Sequence, residues 1–298
     1  MVMETRKKNV NLIMTVEQKE FSFCNVNLIT LRQPLVNFFC RDEKLVDKSV
    51  EDMGKDIFRP FGIAQDTNRI FIASHGKIIE ALTSQEILSD WFPNTHQILY
   101  DEGYLYLTGT SVNCIAKFNL KTKEINYFDT LDLVRTKRPD NPLDYTPKYD
   151  KTHTNSLLVN GSSLWFLNHN RGQPSQIVEL NKNDFKVLNT YESVGFDAHN
   201  LVFHNNYIYY LSTAERTLKS LNLVTREIKI LQFFDGLFFL RGLCIKENIL
   251  YIGATNTGET KDRTKQECYI YTYHTITTEV IKIKMPFVGA ILDLQEFT

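Results

Sequence analysis

Five segments of the chain fall into one register. They read FGIAQDTNRIFIAS from Phe61, HQILYDEGYLYLTG from His96, NSLLVNGSSLWFLN from Asn155, HNLVFHNNYIYYLS from His199 and RGLCIKENILYIGA from Arg241. Each joins a short apolar run to an alternating one across a polar turn. A partial copy, VGAILDLQEF, begins at Val288, and successive starts lie 35, 59, 44, 42 and 47 residues apart. Alternation with a period of two marks strands with one buried face. A repeat of this length made only of short strands predicts the blades of a β-propeller.

Each full copy divides into four strands. In the copy from His199 they are expected at 200–203, 207–211, 217–223 and 227–233, and in the next at 242–245, 249–253, 268–274 and 279–285. The turn before the last strand also recurs, as NLKTKE at 119–124, LNKNDF at 180–185 and NLVTRE at 222–227. Helical periodicity is nearly absent, so helices should be few. Residues 289–297 supply an innermost strand and the chain then stops. Residues 8–16 and 20–31 are strand-like and have no innermost partner of their own. The expected fold is therefore all-β: a single six-bladed β-propeller over residues 1–298, with residues 1–56 and the C-terminal strand closing the last blade. Pairing the two ends in one sheet removes an open edge. The stretch 32–56 has room for a further strand or a short helix, which leaves five or seven blades open. Two long loops interrupt the repeat, at 130–152 with three prolines and at 254–267.

Composition removes several functions. The net charge is −1 with no Lys/Arg block, so nucleic acid is not an expected partner. No apolar run approaches the ~18–20 residues that span a membrane. The N-terminus has no long apolar stretch and no small-residue cleavage site. The five cysteines, Cys24, Cys40, Cys114, Cys244 and Cys268, are odd in number and form no CxxC pair. Reduced thiols and a cytoplasmic location are the expectation.

Strand alternation assigns loops to faces. The loops that lead into each inner strand share one face with the loops between second and third strands; we term this the opening face. His96, His153 and His199 fall in leading segments, and His75 and His169 in second-to-third-strand loops. His204 belongs to an opposite-face turn and His274 to the end of a third strand. The loop 130–152 also lies on the opening face. Leading residues of neighbouring blades converge on the central channel, so His96, His153 and His199 are candidate ligands of a divalent transition metal. Arg59 and Arg241 occupy near-equivalent leading positions, and Arg171 and Arg216 lie in opening-face loops. A guanidinium fork suits carboxylate or phosphate, which points to a small anionic molecule as partner. Arg59, Arg241, His75 and His169 are the candidate catalytic groups, with Asn155, Asn200, Asp197 and Arg171 as candidate substrate contacts. The resulting expectation is an enzyme acting on a small anionic metabolite at a His/Arg-lined channel, by lyase, hydrolase, isomerase or oxygenase chemistry. The alternative is a non-catalytic ligand-binding or protein-interaction propeller. A purely structural role for the histidines, as in WD-repeat blades, calls for a recurring tryptophan. Here Trp91 and Trp165 do not repeat in that role. No Walker, GxGxxG, GxSxG or HExxH sequence occurs.

At these residues the chain resembles an uncharacterised bacterial β-propeller family of unknown function, some of whose members are joined to tetratricopeptide repeats. The shared features are Arg59-Pro60-x-Gly62, His96 before an apolar strand, His153-x-Asn155-x-Leu157, His199, and Arg241-Gly242-Leu243. The likeness spans roughly residues 57–265 and includes the lengthened loop of the fifth copy. The chain departs from the pattern at Gln97, where an acidic residue is expected. The resemblance implies a cytoplasmic single propeller with its site at the His and Arg residues. It implies no reaction.

Overall fold

The computed structural model describes residues 8–17, 24–33, 47–52, 60–74, 76–81, 83–92, 95–130, 150–236, 238–257 and 265–296. They form 24 strands and one 3-10 turn, Thr110–Val112. The first three strands are β1 (Lys8–Glu17), β2 (Cys24–Gln33) and β3 (Asp47–Asp52). Five four-strand meanders follow. They are β4 (Pro60–Gln65), β5 (Ile70–Ser74), β6 (Gly76–Glu80) and β7 (Gln85–Phe92); then β8 (Ile98–Asp101), β9 (Tyr104–Gly109), β10 (Cys114–Asn119) and β11 (Ile125–Asp129). Next come β12 (Thr154–Asn160), β13 (Ser163–Asn168), β14 (Gln176–Asn181) and β15 (Val187–Tyr191); then β16 (Ala198–His204), β17 (Tyr207–Ser212), β18 (Thr217–Asn222) and β19 (Ile228–Phe233). The last meander is β20 (Phe238–Lys246), β21 (Ile249–Asn256), β22 (Glu267–His274) and β23 (Val280–Val288), and β24 (Ala290–Glu296) ends the described chain.

Each meander is one antiparallel sheet, and β24, β1, β2 and β3 form a further four-stranded sheet in that order. The expected count of six like blades is amended here. Five blades are continuous four-stranded meanders. In the closing sheet, Met14 has the only described side chain on β1–β3, so that sheet adds to the count by backbone pairing alone. β1 bonds β24 from Leu12↔Glu296 to Glu17↔Ala290. The stretch 32–56 contributes β3, which pairs with β2.

The inner strands β4, β8, β12, β16, β20 and β24 pack in a closed circuit around the axis. Apolar clusters fill the space between neighbouring sheets, as the alternation requires. Ala64 and Phe71 meet Ile98, Leu105 and Leu107, and Tyr106 and Ile115 meet Leu157, Phe166 and Val178. Trp165 and Ile177 meet Leu201, Ile208 and Tyr210, and Leu211 and Leu218 meet Leu243, Leu250 and Ile252. Met14, Tyr251 and Ile270 pack with Ile291 and Leu294. Each fully buried Leu, Ile or Phe contributes about 1.5–3 kcal/mol relative to exposure.

The recurrent outer turn has a single cause. Asn119 Oδ1 accepts from the N–H of Lys121 and Thr122 at 2.9 and 3.0 Å, and Asn222 Oδ1 from those of Val224 and Thr225 at 2.8 and 3.0 Å. Asn181 does the same toward Asn183. These are Asx turns. In the fifth blade His274 stands at this position, and its Nδ1 accepts from the N–H of Ile276 and Thr277.

A second repeated position makes a collar around the axis: Gly62, Gln97, Ser156, Asn200, Gly242 and Asp293, one residue from each inner strand or its start. Gln97 Oε1 accepts from Leu157 N–H (2.6 Å), Ser156 Oγ from Asn200 N–H (2.6 Å), Asn200 Oδ1 from Gly242 N–H (2.9 Å) and Asp293 Oδ2 from Ile63 N–H (3.0 Å). The two glycines fill the remaining junctions by close approach. A Cβ on Gly62 would lie 2.7 Å from Gln97 Cα, and one on Gly242, at φ +82°, 2.9 Å from Leu294 Cβ. Gly242→Ala therefore meets both backbone strain and overlap. It should lower unfolding free energy by about 1–3 kcal/mol in urea titration. A loss under ~0.5 kcal/mol, the range of ordinary surface substitutions, would contradict the tight junction.

Candidate functional site

Above the collar, on the opening face, six side chains touch in a closed ring. His96 meets His153 edge-on, with centroids 4.8 Å apart; His153 meets His169 at 5.0 Å, and His169 meets His199 at 5.3 Å. Phe239 lies 5.9 Å from His199, and the Arg241 guanidinium lies 5.7 Å from the Phe239 centroid. Arg241 Nη2 closes the circuit by donating to His96 Nδ1 at 2.8 Å. Phe61 stacks on His96 from outside, 5.0 Å between centroids.

Local structure places each member. His96 leads into β8 with its backbone N–H on Thr108 Oγ1 (3.0 Å). His153 leads into β12 at φ +47°, just past a buried knot. There Asn113 Oδ1 accepts the N–H groups of Lys151 and Thr152, both at 2.9 Å, and the Thr152 hydroxyl at 3.0 Å. His169 follows β13, where the Ser175 hydroxyl donates to its carbonyl at 3.2 Å. His199 sits beside the bulge in β16 made by Asn200 at φ +56°. Arg241 precedes the matching bulge at Gly242 in β20.

The hydrogen bonds fix the imidazole tautomers. Arginine has no acceptor. His96 therefore offers its Nδ1 lone pair to Arg241 and carries its proton on Nε2. The Thr213 hydroxyl gives its one proton to Leu240 O (2.8 Å), so it accepts from His199 Nδ1–H (3.0 Å). His153 Nδ1 lies 2.9 Å from the Asp150 carboxylate, which can only accept, so it donates there although Arg171 Nη2 also stands 3.1 Å from it. His169 spends both nitrogens: Nδ1 accepts from Arg171 N–H at 3.2 Å, and Nε2 faces Asp197 Oδ1 at 3.2 Å. Burial pushes His96 and His199 well below the ordinary imidazole range, and the Arg241 charge pushes the same way. His169 is lowered to about 3 by burial and by neighbouring His153. Burial would raise Asp150, yet its bonds from His153 and Arg171 hold it below the usual carboxylate value. Beneath the ring, burial drives Asp293 up to about 7 against its bonds from Ile63 and Leu294 N–H.

Set against expectation, His96, His153, His169, His199 and Arg241 come together as one site. His204 and His274 do not: His204 Nε2 contacts Asn248 on the other face, and His274 caps its turn. Arg171 pairs with Asp150 and is half exposed, and Arg216 donates to Gly236 O at 2.9 Å. Asn155 and Asn200 serve blade junctions: Asn155 Nδ2 donates to Ala198 O at 3.0 Å, and Asn200 belongs to the collar. Arg59, His75 and residues 131–149 of the long loop lie outside the described residues. The metal-binding expectation is corrected. Among the described residues no group of three or more His, Cys, Asp or Glu is arranged to hold a metal ion. The physical reason is at His96: Arg241 takes the Nδ1 lone pair, the free nitrogen carries a proton, and a permanent cation stands beside it. Sequence reasoning missed Phe239, Thr213 and Asp150. Asp150 is at the end of the long loop, three residues before His153, a spacing that held the signal.

The channel on the other side of the collar is of different character. A cavity of about 310 Å³ there is lined by Leu157, Leu201, Leu243 and Leu294 together with Gln65, Gln295 and Glu296, and burial raises the Cys244 thiol well above its ordinary value.

No protein-family model matches the chain. No curated protein matches it either. Among solved structures it is similar to a chain from the crystal structure of a nidogen/laminin complex, with TM-score 0.65 and 10% identity over 97% of this chain and 98% of that one. At that identity the likeness shows the fold alone: the chain is a β-propeller. Among the described residues no helix is long and apolar enough to cross a membrane.

Proposed function

We propose that this is a non-catalytic binding propeller whose opening-face ring takes the anionic group of a ligand. One observation carries the reading: in a closed ring of four imidazoles, a phenyl and a guanidinium, Arg241 is the member with a permanent charge. Three of the imidazoles are held uncharged beside it. A buried cation beside the Nε2–H donor of His96 is a carboxylate or phosphate receptor. A binding role also agrees with the similar chain from a nidogen/laminin complex, a protein assembly. Covalent catalysis would need a nucleophile beside a base. The Thr213 hydroxyl instead gives its proton to Leu240 O, and the Cys244 thiol is kept protonated by burial.

Isothermal titration with a panel of small carboxylates and phosphates tests this, with product analysis of the same mixtures. Binding without conversion is expected. Arg241→Met should weaken it ~10–100-fold, the worth of a hydrogen bond to a charged group, ~1.5–3 kcal/mol. Circular dichroism should show the strand content of that variant unchanged. Undiminished binding by the variant, or conversion of any bound compound, would overturn the reading.

A further inference from the structure

The ring has a polarity that an anion site alone does not need. Its two ends offer opposite hydrogen-bonding partners. At one end stand the Arg241 guanidinium and His96, whose proton is on Nε2 because Arg241 donates to Nδ1. At the other stands His199, whose Nδ1 proton goes to Thr213 and leaves Nε2 a bare acceptor. His153, donating from Nδ1 to Asp150, presents a bare Nε2 in its neutral form. Among the described residues the buried polar atoms left without a partner are Trp165 Nε1, Thr217 Oγ1 and Tyr251 Oη. The Nε2 atoms of His96, His153 and His199 are not among them, and no described protein group bonds them. They face solvent in the mouth.

Bare imidazole nitrogens repel anionic oxygen and accept from hydroxyl groups. A phosphate or a short dicarboxylate would satisfy the Arg241 end and oppose the His199 end. Successive members of the ring stand 4.8–5.9 Å apart, so opposite members are separated by about two such steps. One ligand touching both ends must be extended by several carbons. Resting on the anion-binding reading above, we infer that the ring selects an extended polyhydroxylated carboxylate: its carboxylate at Arg241 and His96, its hydroxyls donating to His153 and His199. The burial that keeps His199 uncharged maintains this acceptor at neutral pH.

The test is isothermal titration of the whole chain at pH 7.5 with gluconate, hexanoate and sorbitol. Gluconate should bind at least ~10-fold more tightly than either of the others, because a site built for hydroxyl donors discriminates against the analogue that lacks them. In His199→Phe, the preference for gluconate over hexanoate should fall to within ~2–3-fold. Thr213→Val releases the tautomer without replacing the imidazole, and it should likewise erode gluconate binding and spare hexanoate. Equal binding of gluconate and hexanoate by the wild-type chain overturns the hydroxyl inference and leaves the anion site standing. Sorbitol bound as tightly as gluconate overturns the anion site itself, and no binding of any of the three overturns both.

Discussion

A chain ending at Gly289 does not fold. β24 is the inner strand on which the closing sheet is assembled: it bonds β1 and packs against β20, β21 and β4. Its Ile291 and Leu294 are fully buried with Met14, Tyr251 and Ile270. Its Asp293 accepts the Ile63 N–H that joins it to the first meander, and Gln295 Nε2 donates to Ile63 O beside it. Replacing one buried Leu or Ile by Ala costs about 2–5 kcal/mol. Deleting both, with the carboxylate bond and the edge of β1, costs as much as the whole ~5–15 kcal/mol that stabilises a domain. The expected product is insoluble or lacks a cooperative thermal transition. A soluble monomer with full strand content would show that the circuit of sheets closes without β24.

The second large effect is on pH dependence. His96, His169 and His199 bind protons less well folded than unfolded, where imidazole titrates near 6.5. The unfolded chain therefore takes up more protons below that value, and stability from these groups is present above pH ~6.5 and lost as pH falls. Asp293 works the other way. Its folded value of about 7 exceeds the unfolded ~3.9, so its contribution falls as pH rises between those limits. Three imidazoles against one carboxyl make stability rise with pH from 4 towards 6.5, each net proton counting about 1.4 kcal/mol per pH unit. Asp150, Asp197, Arg171 and Arg241 surround the ring. Urea unfolding at pH 4.5, 5.5, 6.5 and 7.5 measures the rise. Asp293→Asn removes the opposing proton and should make the rise steeper by up to one proton. A flat wild-type profile from 4.5 to 6.5 would mean that the histidines are not desolvated.

Much of the fold is legible in the chain because apolar alternation is a local record of a two-faced sheet. The strands expected at 207–211 and 217–223 are β17, Tyr207–Ser212, and β18, Thr217–Asn222. Expected inner strands were shorter than β16 and β20, because their first residues are polar or bulged: His199, Asn200, Arg241 and Gly242 interrupt the alternation at the point where the chain turns into the channel. The histidines gather as their register implies, since leading residues of neighbouring blades share one face. What they do there was not legible. Whether an imidazole nitrogen is free depends on contacts across the axis, such as Arg241 to His96 over 145 residues. Gln97, which breaks the resemblance to the propeller family, proves to be an acceptor for the next blade, a task an amide performs without placing a charge beside the mouth. The collar could have been read by stacking the five copies one residue after their start, where Gly62, Gln97, Ser156, Asn200 and Gly242 align.

Four of the collar's amide protons have an unusual custody. Those of Ile63, Leu157, Asn200 and Gly242 are held by a side chain of the preceding sheet, while most strand amides are held within their own. Fraying of a strand leaves such a proton covered, and parting of two sheets bares it at once. Their deuterium exchange rates would therefore clock the opening of individual seams in the ring, one seam per amide.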